Sequence, residues 1–120
     1  MISEPRNGLK KQENTMNKKK ILCACNGGNV RSASLAYFLK EAYGHDALAI
    51  GLKVNSPETI QLLCDWAERI VIFEQKMLDR IPEEFHKKTR LLSTGKDVWK
   101  QANHPQLMHL IYKGLKYLDL

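Results

Sequence analysis

Two hydrophobic rhythms alternate along the chain. Lys20 to Cys25 (KILCAC) is a short, continuous apolar run stopped by the pair Gly27-Gly28, the pattern of a buried strand. Arg31 to Tyr43 has helical spacing through Ala33, Ala36, Leu39 or Lys40, and Tyr43, and Gly44 stands at the C′ position that ends such helices. A weaker apolar run covers Ala47 to Gly51. In Asn55-Ser56-Pro57-Glu58, Ser56 can cap and Pro57 takes the first helical position, so a second helix is expected through Ala67 with Ile60, Leu63, Cys64 and Ala67 inward. Arg69 to Phe73 (RIVIF) is the clearest buried strand, Gln75 to Ile81 reads as a short helix stopped by Pro82, and Thr89 to Ser93 as a fourth strand. A last helix opens near His104-Pro105, with Leu107, Leu110, Ile111, Leu115 and Leu118 on one face.

Strands that alternate with helices imply right-handed crossovers and a parallel sheet covered on both faces. The expected fold class is α/β, a single-domain three-layer sandwich with a four-stranded parallel sheet flanked by helices. At 120 residues the chain can bury one core and not two. In such sheets ligands bind at the carboxyl ends of the strands, which is where the turn after the first strand lies.

Composition changes this picture little. Hydrophobic residues make up 43% and charged residues 27%, a globular balance, and no apolar run approaches the roughly 20 residues that span a bilayer. The N-terminus lacks the apolar segment of a secretory signal, so no membrane partner and a cytoplasmic location are expected. The net charge of +6 divides unevenly: residues 1–20 hold six Lys or Arg against two Glu, and the remainder thirteen against eleven acids. Most of the excess therefore belongs to a basic extension over 1–19, read as flexible, ahead of the domain at 20–120, and no nucleic-acid partner is expected. Cys23, Cys25 and Cys64 are too few for a disulfide framework and read as reduced thiols. His45, His86, His104 and His109 lack metal-ligand spacing, so no metal site is expected and surface or capping roles are favoured. The oligomeric state is not legible.

The turn CNGGNVRS, Cys25 to Ser32, carries the chemistry. A loop of this length, wound with its backbone N–H groups inward, makes an anion cradle from Asn26, Gly27, Gly28, Asn29 and Val30, and glycines permit the positive φ that such winding demands. The helix beginning near Val30 adds its N-terminal partial charge. Arg31 offers a planar fork that grips two phosphate oxygens, which lysine cannot match. The same positive surroundings favour the thiolate of Cys25, and Ser32 can donate a hydrogen bond to the sulfur. A buried strand-end cysteine in a merely connecting turn is the plainer alternative, but Ser32, the glycines and the strand-loop-helix setting favour an activated nucleophile at the floor of a phosphate-sized bowl.

With Cys25, Arg31 and Ser32 matching a Cys-x5-Arg-Ser loop, and WAERIVIFE similar to a third strand, the chain resembles the low-molecular-weight protein tyrosine phosphatases from about Lys20 to Phe73 and more loosely to Trp99. The resemblance implies attack by Cys25 on phosphorus to give a phosphocysteine, phosphate held by Arg31, and protonation of the leaving oxygen by a distant aspartate, with no metal or cofactor. Its substrate would be a phosphorylated protein or a small phosphate ester. The chain departs from the family in four places. Gly27-Gly28 stands where Gly-Asn is usual, Val30 replaces a frequent second cysteine, Asp97-Val98-Trp99 is the nearest match to the family's Asp-Pro-aromatic segment, and the Gly51 to Ser56 segment that would wall the substrate pocket is short. Asp97 is thus the candidate acid, with Asp65, Glu74 and Asp79 the carboxylates left if it is only a loop residue. Trp99 either stacks on an aryl leaving group or covers the core.

Three other functions stay open. An arsenate reductase-like enzyme on the same fold would need a cysteine relay, and Cys64 does not sit at the usual relay positions. A phospho-carrier with a thiol after its first strand would not need Arg31. A non-catalytic phosphate-binding module would need no acid. Glu83-Glu84 beside Lys87-Lys88 reads as a solvated face.

Overall fold

A computed structural model of the chain describes residues 18–95 and 98–120. The basic extension, apart from Lys18 and Lys19, and the candidate acid Asp97 lie outside the described residues. Strand β1 (Lys20–Cys25) is followed by α1 (Arg31–Tyr43), β2 (Asp46–Gly51), α2 (Pro57–Trp66), β3 (Arg69–Ile72), two 3-10 helices (Gln75–Arg80 and Glu83–Lys88), β4 (Thr89–Leu91) and α3 (Pro105–Leu115). The four strands form one all-parallel sheet in the order β2-β1-β3-β4. The expected three-layer α/β sandwich is the fold.

Local chemistry explains most element ends. Gly44 closes α1 in the left-handed region at φ 73°, with its N–H bonded to the last carbonyls of the helix. Ser56 caps α2, its side chain accepting from the Thr59 N–H, and Pro57 occupies the first turn, where its missing N–H costs nothing. His104 caps α3 in the same way, with Nδ1 accepting from Gln106 N–H at 3.1 Å.

β1 lies at the centre of the sheet, and Ile21, Leu22, Cys23 and Ala24 have no exposed surface. α1 packs on β1, β2 and α3 through Leu35, Ala36 and Leu39, while α2 packs on β1 through Ile60 and Cys64. Each fully buried leucine or isoleucine here contributes roughly 1.5–3 kcal/mol. From β1 the chain turns first to β2 on one side and later to β3 on the other. The carboxyl end of β1 is therefore the switch point of the sheet, where the flanking connections diverge and leave a crevice. Cys25 is the last residue of that strand.

Between Gln75 and Leu91 the chain departs from the pattern read in the sequence. Gln75 to Ile81 is not an α-helix but a 3-10 helix over Gln75–Arg80, and Pro82 separates it from a second one over Glu83–Lys88. The charges of Glu83, Glu84, Lys87 and Lys88 had suggested only a solvated face, yet Phe85 between them is buried and anchors the turn. β4 is an edge strand of three residues rather than the five expected; Leu92 N–H still bonds to Ile72 C=O at 2.9 Å, but the ladder stops there. Among the described residues no helix is long and apolar enough to cross a membrane.

Candidate active site

The loop after β1 is shaped by close backbone packing. Gly28 has φ +80°, and a Cβ there would stand 2.5 Å from Gly51 N and 2.7 Å from the Ile50 carbonyl carbon. A Cβ on Gly51 would in turn stand 2.5 Å from the Gly27 carbonyl. Two backbones touch where neither has room for a side chain. The turn after β2 is laced to the same loop: Leu52 N–H donates to Cys25 C=O at 2.7 Å, and Lys53 N–H to Asn26 C=O at 3.0 Å. Asn55 Nδ2 holds that turn closed on Gly51 C=O at 2.9 Å.

This winding points donors at one atom. Gly28 N–H donates to Cys25 Sγ at 3.2 Å, and Ser32 Oγ lies 3.1 Å from the same sulfur. When the sulfur is an anion the Ser32 hydroxyl is the donor of that pair, since a thiolate can only accept. Cys25 itself is 3% exposed, so the sulfur is almost wholly enclosed. Ser32 and Arg31 are buried at the start of α1, a helix whose N-cap Val30 supplies no side-chain bond. Polar residues occupy this buried end because it faces the loop rather than the apolar core.

Arg31 is the largest fully buried side chain of the described residues at 1% exposure. Its Nη1 donates to Glu74 Oε2 at 2.9 Å, and its guanidinium carbon stands 5.6 Å from the centre of the Phe73 ring. Glu74 follows β3 directly and is also approached by Lys76 Nζ at 3.5 Å. Burial pushes the Glu74 carboxyl up, but the hydrogen bond and charge of Arg31, with help from Lys76, outweigh it and hold the group below its ordinary value. Glu74 is thus an anion at neutral pH that fixes the direction of the Arg31 fork. Beside the loop, the carboxyl ends of β3 and β4 open a cleft of about 670 Å³ lined by Asn26, Phe73, Glu74, Lys76, Leu91 and Ser93.

No protein-family model matches the sequence, and no curated protein matches it. A solved structure does. The chain is similar to the crystal structure of the tyrosine phosphatase AmsI of Erwinia amylovora, with 19% identity, 86% of this chain and 95% of that chain covered, and a TM-score of 0.63. At that identity the likeness establishes a shared fold.

Of the residues singled out in the sequence, the structure brings Gly28 and Ser32 onto the Cys25 sulfur and holds Arg31, at the end of the same loop, on Glu74; Asn26, Gly27, Asn29 and Val30 make up the rest of the loop. Trp99 is not among the residues that line the cleft beside the loop. It is half-buried, its ring centre 5.5 Å from that of His104, and it lines a separate, largely apolar cleft with Pro105, His109 and Leu110. The connection that follows Asp97 is tied to α1 by Asn103, whose N–H donates to the buried Ser34 Oγ at 2.8 Å from a left-handed backbone at φ 62°. Cys23 and Cys64 are free and buried, as core thiols. Burial, and then the neighbouring Cys25, push the Cys23 thiol far up, and burial raises Cys64 to about 11.

Glu74 is the residue that sequence reasoning did not connect with Arg31; it stood there only as a reserve proton donor. The available signal was its place directly after β3. Without knowing that β3 neighbours β1, nothing in the sequence connects it with Arg31, 43 positions away.

Proposed function

We propose that the protein is a cysteine-dependent phosphatase that hydrolyses a phosphate monoester, with protein phosphotyrosine as the substrate class, through a phosphocysteine. The observation that carries this reading is the convergence of Gly28 N–H and Ser32 Oγ on Cys25 Sγ, with the Arg31 fork held by Glu74 at the far end of the same loop. The likeness in fold to a tyrosine phosphatase supports it.

In the first step the Cys25 sulfur attacks phosphorus. An S–P bond forms as the ester P–O bond breaks, and the leaving oxygen takes a proton from an acid. Loop N–H groups and Arg31 stabilise the equatorial oxygens of the transferring phosphoryl group, where preorganised donors act most strongly. In the second step water attacks phosphorus, the S–P bond breaks, and the thiolate leaves, stabilised by Gly28 and Ser32, while the conjugate base of the acid takes the water's proton. Alcohol or phenol and inorganic phosphate are the products. Asp97 is the proposed acid. Glu74 is a poor alternative, because its carboxyl is engaged by Arg31 and held in the deprotonated form.

Turnover of p-nitrophenyl phosphate with EDTA present, by the wild type and by Cys25→Ser, tests the proposal. Cys25→Ser should abolish turnover while vanadate still binds, because the bowl persists and only the nucleophile is lost. Wild-type turnover by Cys25→Ser would end the covalent reading. Tight vanadate binding with no wild-type turnover would leave a phosphate-binding module.

A further inference from the structure

A second cleft, about 470 Å³, opens between the turn after β2 and the 3-10 helix Gln75–Arg80. Its floor is apolar, from Leu52, Pro57 and Ile60, and its rim carries Lys53 and Arg80 against a single acid, Asp79. Among the described residues neither Lys53 nor Arg80 forms an ion pair, whereas Arg31 and Lys76 near the phosphate loop are both engaged by Glu74. Among the described residues these two cations are therefore without an ion-pair partner. Its position is set by the backbone: Lys53 N–H bonds to Asn26 C=O, one residue beyond Cys25. That bond seats the Lys53 backbone directly beside the loop that carries Cys25.

We infer that this cleft is a specificity subsite for an acidic side chain flanking the phosphorylated residue of a peptide substrate. The inference rests on the phosphatase reading and adds to it the chemistry of the neighbouring residue. A glutamate fits both parts of the cleft, with its aliphatic stem over Pro57 and Ile60 and its carboxylate between Lys53 and Arg80. A basic neighbour would meet two like charges at the same place. Solvent screens both cations, so the gain is modest: exposed pairs of this kind correspond to about three- to tenfold for two contacts.

The experiment compares kcat/KM for two phosphotyrosine peptides that differ only in having Glu or Gln on either side of the phosphotyrosine, at about 0.05 M and about 0.5 M salt, where screening lengths differ severalfold. The wild type should favour the Glu peptide about three- to tenfold at low salt and lose most of that preference at high salt. In the double variant Lys53→Gln, Arg80→Gln the ratio should fall to near one. Equal rates on the two peptides, or a preference that survives the double variant, would overturn the subsite. A preference for carboxyphenyl phosphate over phenyl phosphate that is absent from the peptides would overturn the assignment to a peptide. If p-nitrophenyl phosphate itself is not turned over, the phosphatase reading fails separately. Equilibrium binding of the same two peptides then decides the subsite, upheld by tighter binding of the Glu peptide and overturned by equal affinity.

Discussion

Gly28 and Gly95 have nearly the same backbone, φ +80° and φ +78°, in entirely different surroundings. An alanine at either position must adopt the left-handed region, at about 1–2 kcal/mol. At Gly95 no atom of the described residues lies within 4 Å of the added Cβ, so Gly95→Ala should lose only that amount. At Gly28 the new atom meets Gly51 N at 2.5 Å and the Ile50 carbonyl carbon at 2.7 Å, both backbone atoms of a paired strand that cannot rotate away. Forcing extra volume into such a contact adds roughly 1–3 kcal/mol. Gly28→Ala should therefore be less stable than Gly95→Ala by that increment, in a domain where each kcal/mol is worth roughly 4–8 °C in Tm. The measurement is urea unfolding of both variants, with equal m-values confirming that only stability has changed. Vanadate binding supplies the functional arm, because displacing Gly28 also displaces the N–H that points at Cys25 Sγ. Gly28→Ala should lose vanadate affinity and Gly95→Ala should lose much less. Equal destabilisation of the two would refute the claim that the loop after β1 is seated on the end of β2.

Asp97→Asn should slow phenyl phosphate by about 10²- to 10⁴-fold and p-nitrophenyl phosphate by much less, since p-nitrophenolate needs little protonation; equal small losses on both would make Asp97 a structural loop residue. Peroxide should inactivate the protein in a way that dithiothreitol reverses only in part, because Cys23 and Cys64 are buried with raised pKa and neither supplies a ready thiolate to resolve an oxidised Cys25. Mass spectrometry should find two added oxygens on Cys25, and a disulfide from Cys25 to either thiol would contradict this. His45 accepts a hydrogen bond from Lys19 N–H through Nδ1 at 3.1 Å, and burial, with the Lys19 charge, lowers its pKa against the opposing pull of Asp46 and Glu68. The unfolded chain then binds the proton first, so stability should decline as pH falls below about 6.5 and level off once the folded ring protonates. His45→Gln should flatten that part of the pH profile, and an unchanged profile would remove His45 as its source.

What the sequence determined by itself lies mostly in its first 72 residues. There the signals are local: a continuous apolar run ends at glycines, Gly44 stands where a left-handed cap is needed, and Ser56-Pro57 opens a helix, so β1, α1, α2 and β3 fall within a residue or two of their expected ends. The thiol, the glycines and the arginine of the loop after β1 are adjacent in sequence, so the candidate site could be picked out before its geometry was known. The 3-10 helices and the short β4 were not, because Pro82 breaks the helical rhythm and the burial of Phe85 depends on what packs over it. Everything that joins distant segments was decided by the tertiary structure. The sheet order sets β3 beside β1 and brings Glu74 to Arg31, the parallel register places Gly51 against Gly28, and Ser34 receives Asn103 across 69 positions. Such contacts form because the burial of apolar faces fixes which strands are neighbours, and that is a property of the whole core that no local window of sequence contains.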